Sequence, residues 1–247
     1  MDAQDDVCRL RGKGVSVDAI KAVLFEPVGC LAEFRADEFD QASAELFAAA
    51  AEPAASGSQA YWRMLGLLAP RYGALSKTEQ ERLVGFELQA AEHADLYPDV
   101  RTALAELKQM GVAAWIVSSL SRAAVARFIE RFSLADLLSG VIAREDAQGV
   151  MDAPLRHAIA QAKLEAARLM VLVETAQAIA VANPLRLNTM LMINDYDEGR
   201  VLAERSPAGG LVSLAELPDA LRLIEQRAGL TAQPRLPQQP FELFDPT

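Results

Sequence analysis

The chain has 247 residues, 51% of them apolar, and a net charge of −10 from 34 acidic against 24 basic side chains. That length suits one medium domain or a core with an inserted subdomain, and so large an apolar share excludes a chain disordered throughout. The acidic balance excludes a nucleic-acid partner, which requires a concentrated basic surface; the densest basic cluster, Arg9 to Lys13, is too short to provide one.

The elements in chain order begin with an ambiguous N-terminal extension, residues 1–20. Met1 to Asp6 is acidic and lacks the basic-then-apolar layout of a signal peptide. Ala22 to Phe25 is a short apolar run that predicts the first strand, and Glu26 follows it. Residues 33–94 contain no convincing strand; their periodicity predicts three helices, at about 34–51, 59–72 and 77–93, with a loop from Pro53 to Gly57. Ser76 and Glu79 form a capping box for the last of these.

A helix over Val100–Met110, stopped by Gly111, leads into a second strand at Val112–Val117. Further strands are predicted at Gly140–Ala143, Leu169–Val173 and Met190–Ile193. Amphipathic helices are predicted at Leu120–Phe132 and Leu155–Ala167, and another helix at Ala176–Asn183 that Pro184 ends or kinks. Strands alternating with helices imply an α/β fold, a doubly wound, Rossmann-like parallel sheet with an all-helical subdomain inserted after the first strand. The expected organisation is an α/β core at 21–32 and 95–230, a helical cap at 33–94 and a proline-rich tail at 231–247. Asn194 to Gly199 loosely resembles a calcium loop but has Ser206 at the distal glutamate position, and it reads as an acidic turn.

Cys8 and Cys30 are far apart and lack metal-ligand spacing, as expected in a reducing compartment. No run reaches the roughly 18 apolar residues of a membrane span. The expectation is a cytoplasmic chain without a membrane partner. Cys30 reads as a small buried residue rather than a thiolate, because Glu26 would raise its pKa. His93 and His157 lack partners at metal spacing, and Trp62 and Trp115 read as packing residues.

The run Lys21–Phe25 followed by Glu26-Pro27-Val28-Gly29-Cys30-Leu31 resembles the first motif of the haloacid dehalogenase-like superfamily, a hydrophobic strand followed by Asp-x-Asp-Gly-Thr-Leu. The resemblance extends over residues 21 to about 228 and implies a helical cap closing over a cleft at the strand ends. It also implies four functional positions: a nucleophilic Asp with an acid/base Asp two residues on, a phosphoryl-binding Ser or Thr, a Lys, and an acidic residue for Mg²⁺. The positions of this chain that match are Glu26, Val28, Ser118, Met151 and Glu174.

Glu26 carries its carboxylate about 1.5 Å further from the backbone than Asp would, and a misplacement of about 1 Å can cost roughly a hundredfold in rate. It reads as a solvated or ion-paired glutamate. Val28 leaves the acid/base role vacant, although dehalogenase-type members also lack Asp there. Ser118 is the best-kept position, and Ser119 stands where Asn is common. Gly29, Ser118 and Ser119 are the candidate ligand-binding residues. Met151 cannot neutralise an anion, Pro154 alone survives of the Lys-Pro-x-Pro motif, and Lys163 and Arg156 are weak substitutes.

The resemblance therefore implies a catalytically degenerate protein, or pseudoenzyme, that binds a small molecule or a protein partner and has no cofactor. The first alternative is a phosphatase acting on a small phosphorylated metabolite, with Glu26 and Glu174 holding Mg²⁺ in shifted geometry. The second is an interaction module that uses the tail.

Overall fold

A computed structural model describes residues 19–49, 53–205 and 207–232, with side chains to residue 226. Its centre is a six-stranded sheet built from β1 (Ala22–Phe25), β4 (Ala113–Val117), β5 (Gly140–Ile142), β6 (Leu169–Val173), β7 (Asn188–Met192) and β8 (Gly209–Leu211), in the order β5-β4-β1-β6-β7-β8. Every pairing is parallel. The residues of β1, β6 and β7 are all buried, as a parallel sheet covered by helices on both faces requires. β1 and β6 therefore read as unbroken apolar runs, β7 opens on Asn188-Thr189 before its apolar Met190–Met192, and the sequence located all three to within two residues.

β1 lies between β4 and β6, where the chain order reverses. The crevice beyond the C-terminal strand ends at such a switch point is where open α/β sheets bind ligands. Glu26, Ser118, Glu174 and Asn194 all follow the C-terminal ends of their strands.

A kinked single turn, α1 (Pro27–Cys30), leaves β1 and leads to β2 (Ala32–Glu33), which pairs antiparallel with β3 (Asp95–Leu96). This two-stranded stem carries α2 (Asp37–Phe47), α3 (Gly57–Leu68) and α4 (Lys77–His93) across the strand ends. Ser56 caps α3 through the Gln59 N–H, and the predicted Ser76–Glu79 box caps α4. Phe39, Tyr61, Met64 and Leu65 are fully buried, so these helices share one continuous core with the sheet.

Of the remaining helices, α5 (Val100–Gln109) ends before Gly111, whose φ of +72° makes it the predicted stop. α6 (Arg122–Arg131) is capped by Ser121, and a single turn, α7 (Arg144–Ala147), precedes α8 (Ala153–Ala162), which has Pro154 in its first turn. α9 (Ala176–Ala182) gives way to a 3₁₀ turn containing Pro184.

Several expectations need correction. The acidic turn at 194–199 is the start of α10 (Tyr196–Ala203), with Asp195 capping it through the Glu198 N–H. The edge strand β8 and α11 (Leu217–Ala232) were not predicted, and Thr231 and Ala232, placed in the tail, end that helix. α8 stops five residues before Ala167, because Lys163 adopts a φ of +51°. Residues 1–18 and 233–247, with most of the N-terminal extension and the tail, lie outside the described residues. No helix among the described residues is long and apolar enough to cross a membrane.

Candidate functional site

Glu26 is partly buried, and its carboxylate is held by hydroxyl and backbone N–H donors, with no ion-pair partner among the described residues. Oε1 accepts the Ser118 hydroxyl at 2.5 Å, and Oε2 accepts the Tyr61 hydroxyl at 3.0 Å and the Ser119 N–H at 3.4 Å. Burial pushes its pKa up from 4.5 to about 7, and these hydrogen bonds oppose the rise only in part. No cation figures among the groups that set its charge.

Ser118 and Ser119 are buried and already engaged. The Ser118 oxygen also accepts the Leu120 N–H at 3.1 Å, and Ser119 Oγ accepts the Met151 N–H at 2.9 Å. Helix capping here falls to Ser121 instead. Met151 adopts a φ of +63°, which a side chain with a Cβ rarely takes, and its backbone closes onto Ser119. Lys163 is exposed at the end of α8, and Arg156 pairs with Asp152 at 2.5 Å, so neither occupies the place of the missing lysine.

Val28 is buried beside Glu26, and Cys30 is buried with its pKa pushed up, first by burial and then by Glu174 and Glu26. Glu26, Val28, Trp62 and Met151 line a cavity of about 30 Å³, room for one or two waters.

Glu174 lies beyond β6 on the other side of the 27–30 turn. It accepts the Ser58 hydroxyl and, at 2.7 Å, Asn194 Nδ2, and burial raises its pKa to about 7. Gly29 has a φ of +78°, and a Cβ there would lie 1.5 Å from Glu174 Oε2 and 2.2 Å from Ser58 Oγ. Asn194 Nδ2, with two N–H groups to share among its acceptors, also lies 2.8 Å from the Gly29 carbonyl oxygen and 2.9 Å from the Tyr97 hydroxyl. These groups border a second cavity, of about 380 Å³.

Helices α2–α4 are pinned over both regions. Tyr61 and Ser58 reach the two glutamates, and Glu87 of α4 pairs with Arg144 through Nη1 at 2.5 Å and Nη2 at 3.1 Å, both residues being buried. Glu87 also accepts the Ser121 N–H at 3.0 Å, and Arg144 reaches the Ser119 carbonyl at 3.4 Å. Burial works against the Arg144 charge, but the Glu87 carboxylate more than offsets it, and the pKa stays raised. His93 pairs with Glu38 at 2.5 Å, away from both cavities.

Tyr61, Ser58, Tyr97 and the Glu87–Arg144 pair were not singled out from the sequence, and Asn194 was read only as part of an acidic turn. Their roles depend on which face of a helix meets the strand ends, and periodicity does not carry that information.

Residues 74–180 match the family model described as haloacid dehalogenase-like hydrolase. A predicted phosphatase from Clostridium acetobutylicum superposes with a TM-score of 0.61 at 14% identity, covering 83% of this chain and 100% of that one. The chain is haloacid dehalogenase-like in its fold. A haloacid dehalogenase-like family hydrolase from Streptococcus pneumoniae gives a TM-score of 0.60 at 14% identity, over 81% of this chain and 98% of that one. An L-2-haloacid dehalogenase from Xanthobacter autotrophicus, with chloropropionic acid covalently bound, gives 0.55 at 17%, over 82% and 98%. No curated protein matches.

The haloacid dehalogenase-like resemblance implies a Mg²⁺ site at Glu26 and Glu174, and the residues present do not fit it. Both carboxylates are already engaged by hydroxyl or amide donors, and both hold protons up to about pH 7. Among the described residues, no three His, Cys, Asp or Glu side chains converge as metal ligands.

Proposed function

We infer that this haloacid dehalogenase-like chain is a binding protein in which its own side chains fill the hydrolytic site of the fold. The observation that carries this reading is the cavity at Glu26. Its 30 Å³ is well below the roughly 300 Å³ at which small-molecule sites begin. Tyr61 from α3 donates to the carboxylate that would have to attack, Val28 offers no proton, and Met151 offers no charge. The neighbouring 380 Å³ cavity, between the 27–30 turn, α3 and α10, is the place left for a ligand.

A phosphatase acting on a small phosphorylated metabolite is the second reading. Its support is the Ser118 hydroxyl and Ser119 N–H converging on Glu26, together with a fold relative that is a predicted phosphatase. Recruitment of a protein partner by the 231–247 tail is a third.

Thermal shift with Mg²⁺ and vanadate or beryllium fluoride, alongside a phosphoester turnover screen, separates the first two. The binding reading expects no metal-dependent shift and no turnover. A shift of several degrees, with turnover that Glu26→Ala abolishes, would replace it with the phosphatase reading. Equal pull-downs with and without residues 231–247 would remove the tail from consideration.

A further inference from the structure

We propose that the 380 Å³ cavity binds a small organic cation, a molecule carrying an amine or guanidinium group on a short apolar body. The inference rests on the binding reading above and names the ligand class of that site.

Size makes the cavity a site, and its lining sets the ligand's charge. A volume of about 380 Å³ falls within the range of small-molecule pockets, and the lining mixes apolar Phe34, Met192, Ile193 and Leu202 with polar groups. Four of those polar groups are carboxyls: Glu33, Glu174, Asp195 and Glu198. None of the described residues lining the cavity is Lys, Arg or His.

Elsewhere in the described residues carboxylates do find cations, as in Asp40–Arg63, Glu45–Arg82, Glu92–Arg127 and Asp146–Arg122. Among the described residues none of the four cavity carboxyls belongs to an ion pair, and the Glu33 side chain has no hydrogen-bond partner there. Asp195 caps α10, and Glu198 lies in its first turn. The N-termini of α10 and α3 face the cavity and each supplies a partial charge of about +0.5. Against four carboxyls, that leaves between roughly two and three negative charges uncompensated. At Glu174 burial raises the pKa first, and the nearby Glu198 and Glu33 carboxylates push it in the same direction.

The same lining disfavours a bare metal ion. No three acidic, His or Cys side chains among the described residues converge as they would on a metal ion. A cation with an extended body can meet separated carboxylates and cover the apolar wall between them. The Ser58 and Tyr97 hydroxyls stand beside Glu174 as further acceptors.

The test is thermal shift and calorimetry on the full chain with putrescine, a diol of equal length, succinate and Mg²⁺. Putrescine should raise the melting temperature in a concentration-dependent way that weakens with added salt, while the other three leave it unchanged. Glu33→Gln and Glu198→Gln should each weaken putrescine roughly fivefold, the equivalent of about 1 kcal/mol. Glu81→Gln, an exposed acid outside the cavity, should leave binding unchanged. Val212→Trp obstructs the cavity at a residue exposed enough to accept the larger ring, and should abolish binding.

Absence of a putrescine shift, or a shift untouched by the Gln variants, overturns the inference. If the diol, succinate or Mg²⁺ binds instead and Val212→Trp blocks it, the cavity remains a site for a different ligand class. If none of the four probes binds, the binding reading falls as well.

Discussion

Replacing Glu26 by Gln tests the electrostatics of the buried strand end. The wild-type carboxyl has its pKa raised from 4.5 to about 7 by burial, so the folded chain holds a proton that the unfolded chain has released. Its stabilising effect is complete below about pH 4.5 and is lost as pH rises through about 7. A rise of about 2.5 pH units corresponds to about 3.4 kcal/mol at about 1.36 kcal/mol per unit, of which roughly 2 kcal/mol falls between pH 5.5 and 8.5.

Gln keeps the shape of the protonated acid. Its amide can donate to Ser118, whose hydroxyl accepts as readily as it donates, while the amide oxygen keeps Tyr61 and Ser119. Urea denaturation at a series of pH values, followed through Trp62 and Trp115, measures the difference. Between pH 5.5 and 8.5 the stability of Glu26→Gln relative to wild type should improve by about 2 kcal/mol, or roughly 4–8 °C in Tm. Glu174 has the same raised pKa and continues to titrate in the variant, so the variant retains part of the slope. Parallel pH profiles for the two proteins, or a wild type that gains stability as pH rises through this range, would refute the reasoning.

Tyr61→Phe removes a hydroxyl that favours the ionised carboxylate, so the Glu26 pKa should rise further. The loss of stability should be about 1 kcal/mol larger at pH 8 than at pH 5.5, by the same denaturation series. Glu87→Ala leaves the Arg144 guanidinium buried and unpaired, and the expected loss is about 3–5 kcal/mol; a loss below about 1 kcal/mol would mean that water solvates this contact. Gly29→Ala forces a Cβ into Glu174 and Ser58 at a positive φ. Equilibrium unfolding should show a loss of more than about 2 kcal/mol, and Glu174→Ala in the same chain should recover part of it.

Local chemistry made the framework legible in the chain itself. β1 and β6 are buried on both faces, so each is a continuous apolar run, β7 shows one from Met190 onward, and helix limits follow from the local chemistry of Ser76, Gly111, Pro154 and Pro184. β8 is three residues long and begins Gly209-Gly210, too little side chain for any pattern, and the two-residue pair β2–β3 exists only because its partners meet. The motif comparison placed Glu26, Ser118 and Ser119 at strand ends and Met151 just before the Pro154 helix, and folding brings those four together.

The state of Glu26 was beyond the sequence. A glutamate at a strand end is solvated, paired or enclosed according to what is packed over it, and Tyr61 lies 35 positions along the chain on another element. Glu87 and Arg144 are separated by 57 positions, and Ser58 and Glu174 by 116. Desolvation and charge compensation depend on neighbours in space, so only the tertiary structure decided which carboxyls are enclosed by hydroxyls, which one is paired with Arg144, and which four are left around a cavity without a cation.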